Sequence, residues 1–101
     1  MAIPDYQSFL RPLLETINDG KDHHIRDVTN HLATVFHLSP EDLEVTLSSG
    51  SQKLFYNRVA WCKTYLKAAG LLEQPKRGIV SITQEGRSLL ARELLSNVVD
   101  E

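Results

Sequence analysis

Four groups of side chains in this sequence invite a chemical reading: a histidine pair, a cluster of carboxylates, one cysteine and a run of cations. His23-His24 lies beside Asp19 and Asp22, residue types that ligate metals. Adjacent histidines on an extended stretch point to opposite faces, however, and no cysteine or further histidine stands at the usual ligand spacing. The pair therefore reads as loop histidines. His31 and His37 fall on or after the following helix and read as surface or helix-end groups. Glu41, Asp42 and Glu44 follow Ser39-Pro40, a helix-start signal, and acids in a first helical turn are explained by the helix dipole. Cys62 falls on an apolar stripe, the place of an inert small hydrophobe. Gly70, Gly78 and Gly86 each have a cap or turn reason and form no phosphate loop. No acid–base pair or nucleophile survives, so no catalytic residue, metal or cofactor is expected.

The cations remain. The net charge of −2 argues on its face against a polyanion as partner, but its distribution is uneven. Residues 1–50 carry three basic and eight acidic side chains, a net of −5. Residues 51–77 hold Lys53, Arg58, Lys63, Lys67, Lys76 and Arg77 against Glu73 alone, a net of +5. Local potential governs polyanion binding more than the sum does.

The elements that must position these cations can be read from periodicity and caps. At 101 residues, one domain over 1–101 with one modest core is expected. No apolar run approaches a membrane span, no secretory leader stands at the start, and a lone cysteine suits a reducing cytoplasm. A first helix should start near Pro4 and end at Asn18-Asp19-Gly20, with Phe9, Leu13 and Ile17 on its apolar stripe. Lys21 to His24 reads as a short extended stretch. A second helix runs from about Ile25 to Phe36 with Val28, Leu32, Val35 and Phe36 inward, and a third from Ser39 to about Val45. The longest helix spans roughly Gln52 to Ala69, with Ser48-Ser49-Gly50-Ser51 offering caps and Gly70 the stop. Leu71-Leu72-Glu73 and Ile79 to Ile82 form strands around a basic tip, Pro75-Lys76-Arg77-Gly78. Thr83-Gln84-Glu85 caps a last helix to about Val98, whose apolar residues are Leu89, Leu90, Leu94 and Leu95. The predicted class is mainly α with a small β-hairpin: a winged helix-turn-helix. In that arrangement one helix can enter a major groove while the hairpin reaches the backbone.

On the long helix Phe55, Val59, Cys62, Leu66 and Ala69 share a buried stripe. Lys53, Tyr56, Asn57, Ala60 and Thr64 are expected to face the major groove, with Asn57 suited to pair with adenine and Lys53 with guanine or phosphate. Lys63, Lys67, Lys76 and Arg77 are expected to hold phosphates, Arg77 alternatively probing the minor groove. Ser51 and Gln52 would contribute helix N-terminal amides to a phosphate. A solvated lysine-rich face is the plain alternative for any single one of these residues; the combination of basic helix, basic tip and scarce acids favours contact with double-stranded DNA. For Trp61, packing against the first or last helix is expected; Arg58 is left between stacking on Trp61 and touching the sugar-phosphate backbone.

Asn57-Arg58-Val59-x-Trp61-x-x-x-Tyr65-Leu66-Lys67-x-Ala69-Gly70-Leu71-Leu72-Glu73, then Pro75-x-Arg77-Gly78 and Ile82-Thr83-x-x-Gly86, resembles the N-terminal domain of Mrr-type restriction proteins. Ile3-Pro4-Asp5-Tyr6 and the stretch from Leu13-Leu14 to Asp19-Gly20 look like the same domain. The resemblance implies a winged-helix module that delivers a C-terminal nuclease domain of a longer protein to modified DNA. The carboxylate-carboxylate-lysine metal site of that nuclease is missing here, so cleavage is not expected of this chain. The expectation is an excised targeting domain or a stand-alone relative. The competing reading is a protein-interaction module or homodimer through the leucine-rich last helix, favoured if Leu90, Leu94 or Val98 were left exposed.

Overall fold

The computed structural model describes residues 3–99, and side chains as far as Arg92. α1 (Tyr6–Thr16) starts two residues later than Pro4 suggests, because Asp5 is its cap and accepts from the Ser8 N–H. A short strand β1 (His23–His24) leads into α2 (Ile25–Val35). α2 closes with His37 in the left-handed region at φ 56, where the Leu38 N–H bonds back to the Ala33 carbonyl and His37 N–H to Thr34. That pair of bonds satisfies carbonyls the helix end would otherwise orphan. α3 (Pro40–Glu44) opens with a capping box in which Ser39 and Asp42 each accept from the other's backbone N–H.

α4 (Leu54–Ala68) is followed by β2 (Leu72–Lys76), β3 (Ile79–Ile82) and α5 (Gln84–Val99). The sheet has three antiparallel strands in the order β1-β3-β2, with His24 opposite Ile79 and Leu72 opposite Ile82. The register slips between Glu73 and Lys76. Pro75 lies inside that slip, where its missing N–H costs the ladder least. The hairpin tip is thus Arg77-Gly78, with Gly78 at φ 79, tighter than the four-residue tip read from sequence. The result is a mainly α, winged-helix-like fold.

Helical stripes from α1, α2 and α4 meet the sheet in one core. Phe9 lies edge-on to both Phe36 and Phe55, with ring centroids at 4.9 and 5.5 Å. Leu13, Ile17, Leu32, Val59, Cys62 and Val80 pack around them, all buried. Val35 departs from the expected inward stripe and is 45% exposed: it is the last residue of α2, and Phe36 after it takes the place against Phe9. On α5, Leu90 is buried and Leu89 half-buried; the side chains of Leu94, Leu95 and Val98 lie outside the described residues.

Candidate nucleic-acid interface

α4 carries most of the candidate residues, and its register decides what each can reach. The segment before it folds back on itself. Thr46 bridges Lys53, Leu47 N–H bonds to the Gln52 carbonyl, and Leu54 N–H bonds to Val45 at 2.8 Å. Lys53 is therefore the cap and the helix begins at Leu54, not near Gln52. This corrects the role expected of Ser51 and Gln52: both precede the helix and are not its N-terminal amides. Their side chains are occupied locally, Ser51 Oγ with Ser49 Oγ at 2.8 Å and Gln52 Oε1 accepting from Asn57 Nδ2 at 2.7 Å.

Each residue advances about 100° round a helix, so the buried stripe of Phe55, Val59, Cys62 and Leu66 fixes the exposed faces. Gln52, Asn57, Ala60, Trp61 and Thr64 line one shallow depression on the outer side. A second groove runs between α2 and α4. Tyr56 and Lys63 stand on its α4 bank and Arg26 on its α2 bank, over a floor of Ile25, Thr29, Val59 and Ala60. Ala60 lines both hollows, and its small side chain leaves a low divide between them. Lys67 follows Lys63 one turn along the same flank.

The hairpin tip joins this surface through β1. Ile25 N–H bonds to the Gly78 carbonyl at 2.8 Å, and the His24 ring lies against Gly78. Lys76 and Arg77 are exposed there. The tip therefore adjoins the start of α2, which borders the groove beside α4.

The cations are not equivalent. Lys53 Nζ lies 3.0 Å from Glu44 Oε2 of α3, so an acid from the net-negative half already neutralises it. Arg58 turns inward to the chain start, donating to the carbonyls of Ile3 and Pro4, the latter at 3.0 Å. Among the described residues, Arg26, Lys63, Lys67, Lys76 and Arg77 enter no ion pair. Arg26 escaped the sequence reading because it lies in the acidic half, far from the basic segment.

Trp61 departs from the burial expected of it: the residue is 61% exposed. Tyr65 beside it is 55% exposed, its ring 5.7 Å from Tyr6 of α1. Both fall on the flank of α4 turned away from Lys63.

The remaining reactive groups have structural explanations. His23 Nε2 meets Asp19 Oδ1 at 2.7 Å, and that bond, with a second from the Lys21 N–H, holds the Asp19 carboxyl below its ordinary range. Burial pushes the Cys62 thiol up to about 12, away from nucleophilic use at neutral pH. Among the described residues no group of three or more His, Cys, Asp or Glu side chains could hold a metal ion, and no helix is long and apolar enough to cross a membrane.

The sequence profile of the Mrr N-terminal domain matches residues 6–92, nearly the whole chain. No match was found among curated proteins or solved structures.

Proposed function

The chain belongs to the Mrr N-terminal domain family, which associates it with Mrr restriction systems, and on that premise we propose that residues 1–101 act as one double-stranded-DNA-binding module in the cytoplasm. The observation that carries this reading is the unneutralised cation set. Lys63 and Lys67 on one flank of α4, with Lys76 and Arg77 on the adjoining hairpin, have no carboxylate partner among the described residues. A phosphate backbone is the polyanion whose charges match such a stripe. Asn57, Ala60 and Thr64, with Trp61, offer an amide, a hydroxyl and apolar surface to base edges in the major groove. Tyr56, Gln52 and Ser51 border that face, and Lys53 joins it only by leaving Glu44. In a longer protein the module would deliver a nuclease domain to its target; it performs no chemistry itself.

Trp61 is the sole tryptophan of the chain, so its emission reports on the proposed face. Titration with a duplex of about 20 base pairs in about 50 mM salt should quench and shift that emission while the anisotropy of a labelled duplex rises. An unchanged anisotropy under those conditions would overturn the reading.

Exposed Trp61 and Tyr65 favour a second reading, a protein-docking or dimerisation surface on the opposite flank of α4. Buried Leu90 is unavailable to the expected last-helix dimer, and the side chains of Leu94 and Val98 lie outside the described residues. Sedimentation of the free chain separates the two: a monomer that binds duplex supports the first reading.

A further inference from the structure

Resting on the DNA-binding reading, we infer that the groove between α2 and α4 is a phosphodiester seat in which Arg26 and Lys63, on opposite banks, hold two successive phosphates of one backbone. Its floor is apolar. Val59 and Thr29 are buried at 2% and 5% exposure, the Thr29 hydroxyl is spent on the Ile25 carbonyl at 2.7 Å, and Ala60 completes the floor. An apolar floor between two cations matches a deoxyribose with its phosphate better than it matches a free anion, which needs no floor. Tyr56 also lines the groove from α4 and is 41% exposed.

Arg26 is exposed and has no ion-pair partner among the described residues. Asp27, the one acid of the first α2 turn, lies about 100° further round the helix. Position also favours a strand of DNA over a small ligand. Arg26 N–H bonds to His24 Nδ1, and Ile25 next to it bonds to Gly78 of the hairpin tip. A backbone held by Arg77 is therefore led past Arg26 into the groove beside Lys63. The interface becomes three elements wide, and α2 supplies a contact that the basic segment alone does not.

The test uses two labelled duplexes of about 20 base pairs and unrelated sequence, across a salt series. Arg26→Gln should make the log–log salt slope shallower by about 1 on both duplexes equally, as loss of one phosphate contact requires. Arg26→Lys, keeping the charge, should retain the original slope. Lys63→Gln, on the facing bank, should reproduce the Arg26→Gln loss, and it serves as the readout if the α2 variant does not fold. Unsubstituted protein that binds while both glutamine variants keep its slope overturns the phosphate seat and leaves the parent reading standing. Unsubstituted protein that fails to bind at all removes the parent reading and this one together.

Discussion

Replacing a surface acid by its amide should tighten DNA binding, and Glu44→Gln is the substitution. Glu44 Oε2 lies 3.0 Å from Lys53 Nζ, with the two side chains 70% and 45% exposed. So exposed a pair contributes little to stability, about 0–1 kcal/mol, and the variant should fold as the parent does. Its effect on a polyanion partner is larger, because Lys53 at the start of α4 would become available to a phosphate. Five cations reach the proposed surface without Glu44's partner: Arg26, Lys63, Lys67, Lys76 and Arg77. At about 0.9 counterions per contact they give a slope near −4.5, or about a 500-fold loss of affinity between 50 and 200 mM salt. Freeing Lys53 adds a sixth contact and raises that loss to about 1,800-fold, with the gain in affinity concentrated at low salt. Fluorescence anisotropy over a salt series measures both. Glu41→Gln on the same short helix is the control, since it removes an equal charge from α3 without touching Lys53. Equal slopes for Glu44→Gln and the parent, or an equal steepening in Glu41→Gln, would refute the claim that this ion pair withholds Lys53.

Three further outcomes follow from the packing. Gly86→Ala should destabilise the fold although alanine is the better helix former by about 1 kcal/mol, because a Cβ there would lie 2.3 Å from the Leu71 carbonyl oxygen and 2.7 Å from Ile82 Cγ1. The Leu71 carbonyl is fixed by the Thr83 N–H, so a net loss of about 1–3 kcal/mol is expected, and a raised melting temperature would contradict it. Arg58→Met should lower stability by about 1–2 kcal/mol through its lost bonds to Ile3 and Pro4 while leaving the DNA salt slope unchanged; a shallower slope would return Arg58 to the interface. The backbone bond from Ser39 holds the Asp42 carboxyl below its ordinary value of 3.8. A depressed folded-state value means stability that is present above that ordinary value and lost as pH falls through the lower one. Asp42→Asn should therefore flatten the acid limb of stability against pH below about 4, and an identical limb in the variant would count against the capping box as its source.

The readings that succeeded rest on local physics. Apolar residues spaced three and four apart placed α1, α2 and α4, and Ser39-Pro40, Gly70 and Thr83 marked helix ends through bonds spanning only a few residues. Those that failed depend on contacts the chain makes at a distance. The Ser48-to-Ser51 cluster looks like a cap, yet the bridge from Thr46 to Lys53 and the Val45–Leu54 bond carry the turn further and start α4 at Leu54. Lys53 reads as a free cation until α3 folds beside it and brings Glu44 within 3.0 Å. Arg26 lies in a stretch whose net charge is negative, and only the pairing of β1 with β3 brings it toward the hairpin tip. Trp61 is the most apolar-looking residue of its flank, which argued for burial. The core stripe of α4 is already filled by Phe55, Val59, Cys62 and Leu66, and Trp61 is left 61% exposed.

That same register would let the proposed DNA contact and a protein-docking surface occupy one helix without competing. Lys63 and Tyr65 are two residues apart, so their side chains diverge by about 200° round α4. The cationic flank turns toward α2 and the hairpin tip, while the aromatic flank turns toward α1, where Tyr65 meets Tyr6. Beyond Tyr65 an apolar crevice continues between α1, α4 and α5, lined by Leu10, Leu14, Leu66 and Leu89 among others. A partner seated there would leave Lys63, Lys67 and Arg77 uncovered, and a duplex along the cations would leave Tyr65 free. Trp61 alone stands at the boundary, sharing its depression with Asn57 and Thr64 on one side and adjoining Tyr65 on the other.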